Sequence, residues 1–104
     1  WSTADGGGHW NGWLTCVTFD NPTHRDRVQA GLSAAEIESR PLWKPMHLQP
    51  LFAGCSYYSH ATDHSFADTL FRDGICLPSG SNMTGAQQDR VIDALRRCFG
   101  AASR

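Results

Sequence analysis

The chain has 104 residues, 40% hydrophobic and 18% charged, which suffices for one packed domain and leaves no room for a second. Its formal net charge of -1 lacks the basic field that a nucleic-acid or anionic-membrane binder needs, and no apolar run approaches a membrane span. Of its nine basic residues only Lys44 is a lysine.

Residues 1–11 are Gly-rich and aperiodic and read as a flexible lead-in, although Trp1 and Trp10 would sit better against a partner surface. Trp13 to Phe19 (WLTCVTF) is β-branched and aromatic and ends at Asp20-Asn21-Pro22, which predicts a strand followed by a turn. Thr23 opens a helix with Asp26 as its capping-box partner and with Val28, Leu32 and Ala35 as the buried stripe. Glu38 to Arg40 is a short extended piece stopped by Pro41. Pro41, Pro45 and Pro50 punctuate the run PLWKPMHLQPLF and forbid a long helix or a central strand there. Apolar bulk beside polar heteroatoms on a rigid irregular segment is the composition of a ligand-facing loop.

Cys55 to Asp63 is a polar loop. Phe66, Leu70 and Phe71 predict a short helix closed by Gly74 as a left-handed cap. Ile75 to Leu77 is a short buried strand, and Pro78-Ser79-Gly80 is a turn. Thr84 caps the last helix, whose stripe is Val91, Ile92, Leu95, Cys98 and Phe99, with Arg96 and Arg97 suiting its C-terminal end. The expected architecture is a small two-layer α+β domain over residues 12–100, with two or three short strands, three main helices on one face and a tail at 101–104.

Cys16, Cys55, Cys76 and Cys98 form no C-x-x-C pair. Cys16, Cys76 and Cys98 lie in apolar runs, where a reduced thiol serves as a small core hydrophobe, so a reduced cytoplasmic protein is expected over a disulfide framework. No basic-then-apolar leader is seen. Cys55, His60 and His64 match no metal template and read as solvated loop residues. Asn82-Met83-Thr84 fits a glycosylation sequon, but Thr84 is better explained as a cap. No G-x-S-x-G elbow is present, and a Ser79 and His47 couple is close to chance.

What remains is Arg40, Trp43, Lys44, Met46 and His47. A guanidinium and an ammonium bracketing an indole suit a ligand with anionic groups and a flat or sugar-like face. Equally, Trp43 and Met46 could plug the core while Arg40 and Lys44 stay solvated.

The run Glu38-Ser-Arg-Pro-Leu-Trp-Lys-Pro-Met-His-Leu-Gln-Pro50 closely resembles the C-terminal part of DegT-type nucleotide-sugar aminotransferases, above all the branch that aminates UDP-linked 4-keto sugars. Leu70-Phe-Arg-Asp-Gly-Ile-Cys-Leu-Pro-Ser-Gly80, then Thr84, then Gln88-Asp-Arg-Val-Ile92, match the same family in the same order. Trp13-Leu-Thr-Cys is similar to the strand that opens its small domain. The resemblance implies part of a fold type I, pyridoxal-phosphate-dependent enzyme, usually a homodimer, that transfers an amino group from glutamate to a keto sugar.

The resemblance also implies that this stretch is the small C-terminal domain. The cofactor pocket and the Schiff-base lysine belong to a large domain that it does not include. Lys44 matches the family's W-K-P position and not that lysine, so no catalytic residue, no cofactor-binding residue and no activity of this chain alone are expected. Arg40, Trp43, Lys44, Met46 and His47 would border the substrate entrance and give a weak nucleotide-sugar site. The competing expectation is a free-standing, self-associating binding or assembly module, with Trp1, Trp10 and Phe52 as its contact surface. A new enzyme built on His47 would lack a second catalytic partner.

Overall fold

The computed structural model describes residues 11–60 and 64–100. The parts assigned above to Trp1, Trp10 and residues 101–104 lie outside the described residues. In chain order the elements are β1 (Thr15–Thr18), α1 (Pro22–Ala34), β2 (Arg40–Pro41), α2 (Phe66–Asp73), β3 (Gly74–Leu77) and α3 (Gly85–Gly100). Two 3-10 turns, Met46–Leu48 and Pro50–Phe52, punctuate the proline-rich loop. The fold is α+β, with three helices and a three-stranded antiparallel sheet in the order β1-β3-β2 among the described residues.

Alternation along the strands separates two faces. Val17 pairs with Ile75, and Thr15 with Leu77, on the face that meets α1 and α3. There Ile75 is fully buried with Val28 and Leu32 of α1 and Ala94 of α3. Cys16 pairs with Cys76, and Arg40 with Cys76 from the other side, on the opposite face. Cys16 is therefore exposed and not the core residue its apolar run suggested. A period of two puts every second side chain of even an apolar strand on the far face.

Helix α1 begins two residues earlier than Thr23 suggested. Asn21, in extended conformation, accepts a hydrogen bond from the His24 N–H at 3.0 Å. Pro22 takes the first helical position, where its missing N–H costs nothing. The helix ends in a Schellman motif: Glu36 N–H donates to the Ser33 carbonyl and Ile37 N–H to the Leu32 carbonyl, each at 2.9 Å. Glu36 occupies the left-handed position, with φ of 55°, and buried Ile37 closes over Leu32. Arg90 of α3 reaches across and donates to the Ala35 carbonyl at 2.5 Å, supplying a partner for an end that has no basic residue in its last turn.

Pro41 does not stop the extended piece but forms part of β2, paired with Ile75. As an edge strand β2 bonds on one side only, and that is where a proline is tolerated. Gly74 is not a left-handed cap. Its φ is -109° and it opens β3 directly from α2. Glycine is required there by crowding, because a Cβ would collide with the Leu42 side chain and the Leu70 carbonyl. Ser65 caps α2, accepting from the Asp68 N–H. Phe66 and Leu70 of that helix remain exposed.

Thr84 caps α3 as expected: its hydroxyl accepts from the Gln87 N–H at 3.3 Å, while the Gln87 side chain accepts from the Thr84 N–H at 2.9 Å. The buried stripe is Val91, Ala94, Leu95 and Cys98, with the spacing of one helical face. Ile92 and Phe99 lie at its margins. Ile92 faces solvent, and Phe99 stacks on Phe19 with centroids 6.2 Å apart.

Candidate functional site

The proline-rich loop leaves the sheet edge at Pro41 and carries Trp43 back over the end of β1. Trp13 stands just ahead of β1, and the two indoles meet at a centroid distance of 5.6 Å and an interplanar angle of 48°. Both are about two-thirds exposed, at 65% and 63%. That exposure is unusual for two large aromatic rings in contact. They line a cleft of about 470 Å³, whose walls also include Arg40, Cys76 and Pro78.

Arg40 supplies the charge. Its guanidinium is bound to Glu38, with Nε to Oε1 at 2.8 Å and Nη2 to Oε1 at 2.6 Å, and both side chains are largely solvated. An ion pair this exposed is worth little, so Arg40 can exchange Glu38 for an incoming anion at small cost. Ser79 also lines the cleft, but its hydroxyl is occupied. It accepts from the Thr15 N–H at 2.8 Å and donates to the Leu77 carbonyl at 2.9 Å. It ties the exit of β3 to the start of β1, which is a structural task.

Arg40 and Trp43 thus share the cleft with Trp13, which lies just ahead of β1 and not within the strand expected from Trp13 to Phe19. Lys44, Met46 and His47 do not line it. Lys44 and Met46 are exposed, and the Gln49 amide, which donates to the Lys44 carbonyl at 3.2 Å, pins their turn. His47 is half-buried and faces α2. Its ring stacks on Tyr57 with centroids 3.7 Å apart. Its Nε2 lies 2.6 Å from Asp68 Oδ1 without the alignment of a hydrogen bond. Tyr57 completes the cluster through a 2.8 Å hydrogen bond with Ser65. His47 therefore fastens the loop to the start of α2.

A separate ion pair, with a buried carboxylate and an exposed guanidinium, sits where α2 passes into β3. Arg72 grips the Asp73 carboxylate with Nε to Oδ1 at 2.8 Å and Nη2 to Oδ2 at 2.6 Å. That bond holds the Asp73 pKa below the usual carboxylate value against the opposing effect of burial, with a smaller contribution from the charges of Arg72 and Arg25. Among the described residues no group of three His, Cys, Asp or Glu gathers to hold a metal. No helix among them is long and apolar enough to cross a membrane.

The pattern of the DegT/DnrJ/EryC1/StrS aminotransferase family matches residues 3–96. The chain belongs to that family. It is 49% identical over 89 residues to a protein of Bacillus subtilis (strain 168) named "Putative pyridoxal phosphate-dependent aminotransferase EpsN", covering 86% of this chain and 23% of that protein. It is 41% identical over 73 residues to the GDP-perosamine synthase of Caulobacter vibrioides (strain ATCC 19089 / CIP 103742 / CB 15), covering 70% of this chain and 19% of that protein. A GDP-perosamine synthase of Vibrio cholerae is 27% identical over 89 residues, covering 84% and 23%. The chain spans less than a quarter of the length of these relatives.

The described residues do not fit pyridoxal phosphate. Lys44, the only amine side chain, is exposed and stands outside the cleft. Among the described residues the one buried carboxylate, Asp73, is taken by Arg72, so none of them offers the amine or the free acidic partner that the cofactor needs.

Proposed function

We propose that this chain is the C-terminal small domain of a pyridoxal-phosphate-dependent nucleotide-sugar aminotransferase, with the Trp13, Trp43 and Arg40 cleft as its contribution to the substrate entrance. The observation that carries this reading is the coincidence of the family match with a cleft that joins two exposed indoles and a loosely held guanidinium. Indole faces suit the nucleobase or sugar ring, and the guanidinium suits a diphosphate. The amino donor in this reading is glutamate and the acceptor a UDP-linked 4-keto sugar. The lysine and the cofactor pocket come from a large domain, so the chain alone is inactive. Lys44, Met46 and His47 frame the loop, and Lys44 is free to turn towards a phosphate. The setting is the cytoplasm, where a resting thiol is reduced.

Two experiments test it. In the first, the aligned segment of the Caulobacter GDP-perosamine synthase is replaced by this chain and GDP-perosamine formation is measured. Product from the chimera supports the reading, and a folded, cofactor-loaded chimera that makes none overturns the assignment as an enzyme part. In the second, the chain is titrated with UDP-N-acetylglucosamine while tryptophan fluorescence is followed. A saturable change supports the cleft as an entrance wall, and a flat response removes it.

The alternative module keeps one supporting observation: Leu51, Tyr58 and Phe66 are all more than half exposed. Phe52, the contact residue expected from the sequence, is only partly exposed. Sedimentation separates the readings, because a tight symmetric dimer that ignores the nucleotide sugar favours the module.

A further inference from the structure

Cys16 and Cys76 face each other across β1 and β3, with Sγ atoms 3.7 Å apart in a thiol–thiol hydrogen bond. Their rung of the ladder is the one that favours close side chains. Phe19 N–H donates to the Asp73 carbonyl at 3.0 Å, and hydrogen-bonded and non-hydrogen-bonded pairs alternate along an antiparallel ladder. Thr18–Gly74 and Val17–Ile75 intervene, so Cys16–Cys76 is a non-hydrogen-bonded pair. Paired Cα atoms on such a rung stand about 4.5 Å apart, inside the span of about 4.4 to 6.8 Å that a disulfide bridges. Side-chain rotation alone can bring the sulfurs together. Both lie on the sheet face away from α1 and α3, with Cys16 exposed and Cys76 half-buried. Among the described residues neither Cys55 nor Cys98 faces another thiol in this way, and Cys98 packs into the α1–α3 contact.

We propose that Cys16 and Cys76 are a dithiol site that small-molecule disulfides of the glutathione type oxidise to a cross-strand disulfide. Cys16 is the entry point. Burial first, then the hydrogen bond with Cys16, push the Cys76 thiol up to about 11, so at neutral pH Cys76 keeps its proton while the exposed sulfur attacks. The Cys16 thiolate bonds to one sulfur of the small disulfide, whose S–S bond breaks and releases a thiolate that takes up the proton Cys16 lost. Cys76 then gives its proton to solvent and attacks the Cys16 sulfur, and the second small thiolate leaves and is protonated. Two protein thiols are oxidised and one small disulfide is reduced to two thiols. Because Cys76 lines the cleft and is the register partner of Arg40, the bond stiffens the cleft wall at the edge strand.

The test uses the chain carrying Cys55→Ser, treated with oxidised glutathione, quenched by alkylation and mapped by mass spectrometry. The expected product has the Cys16 and Cys76 peptides joined, and Cys98 alkylated once the protein is denatured. The Cys76→Ser variant should instead retain glutathione on Cys16, and the Cys16→Ser variant should leave Cys76 unmodified. Stable glutathione on Cys16 beside a free Cys76, or a bond from either residue to Cys98, overturns the proposal. The mapping of the parent chain decides the matter even if a serine variant does not fold.

Discussion

The indoles of Trp13 and Trp43 touch where they line the cleft, one from the approach to β1 and the other from the proline-rich loop, with centroids 5.6 Å apart. Each holds the other where solvent would otherwise leave it free to rotate. Replacing either with Ala should therefore remove most of the fluorescence response to a UDP-sugar. Arg40→Ala should weaken the same binding about tenfold, or about 1.4 kcal/mol, by removing the anion partner. Isothermal titration of the three variants checks this. A response unchanged in all three would place the nucleotide elsewhere.

Helices α1 and α3 approach so closely at Gly31 that a Cβ there would overlap Cys98 Sγ. Gly31→Ala should lower stability by about 1 to 3 kcal/mol through overpacking. Adding Cys98→Ala should recover a good part of that loss, since the colliding atom is gone. Urea denaturation of the two single variants and the double variant gives the coupling.

Glu36 holds a left-handed backbone at the end of α1, with φ of 55°, where glycine carries no Cβ penalty. Glu36→Gly should raise stability by about 0.5 to 1 kcal/mol, less whatever the freer unfolded chain takes back. Thermal melting should show the midpoint moving up. A fall would mean that the Glu36 side chain has a role beyond its backbone position.

Asp73 sets a pH dependence of definite sign. Its folded pKa is below the ordinary carboxylate value, chiefly because Arg72 donates to it. The unfolded chain therefore takes up the proton first as acid is added. The contribution of the pair is present above about pH 4 and is lost as the pH falls through the folded value. Denaturation midpoints at pH 7 and pH 3 should differ more for the parent chain than for Asp73→Asn.

Cys76 acts at the other end of the scale. Its thiol, raised to about 11, favours the folded state fully below the unfolded value near 8.5, and that contribution fades as the pH rises towards 11. Cys76→Ala should flatten the decline in midpoint between pH 8 and pH 11. An unchanged slope would assign the decline to other groups.

Much of the fold was legible because local chemistry and burial agree along the chain. Thr84 is followed three residues later by Gln87, and the pair closes a capping box as written. Val28 and Leu32 are spaced for one helical face, and both are fully buried. Elsewhere a neighbour in space or the alternation of the strand overrides the local signal. Gly74 resembles a helix cap by position, yet it is glycine because Leu42 presses on it. Cys16 resembles a core residue by company, yet the strand's alternation turns it outward. The Schellman end of α1 carried no signal at all, because Glu36 stands where glycine is usual.

The candidate site divides along the same line. Residue type alone marked the proline-rich loop, because prolines at fixed spacing around Trp43, Lys44 and His47 restrict the backbone before any packing occurs, and the resemblance of its motif pointed to the family. Only the tertiary structure decided which of those side chains share a cleft. The edge pairing of β2 with β3 brings Arg40 beside Cys76, the turn at Met46–Leu48 directs His47 to Asp68, and Trp13 closes over Trp43. The small net charge and the single lysine were set by composition. Which charge faces the cleft was settled by strand register, because a register shift of one residue would turn Arg40 and Cys76 to the opposite face.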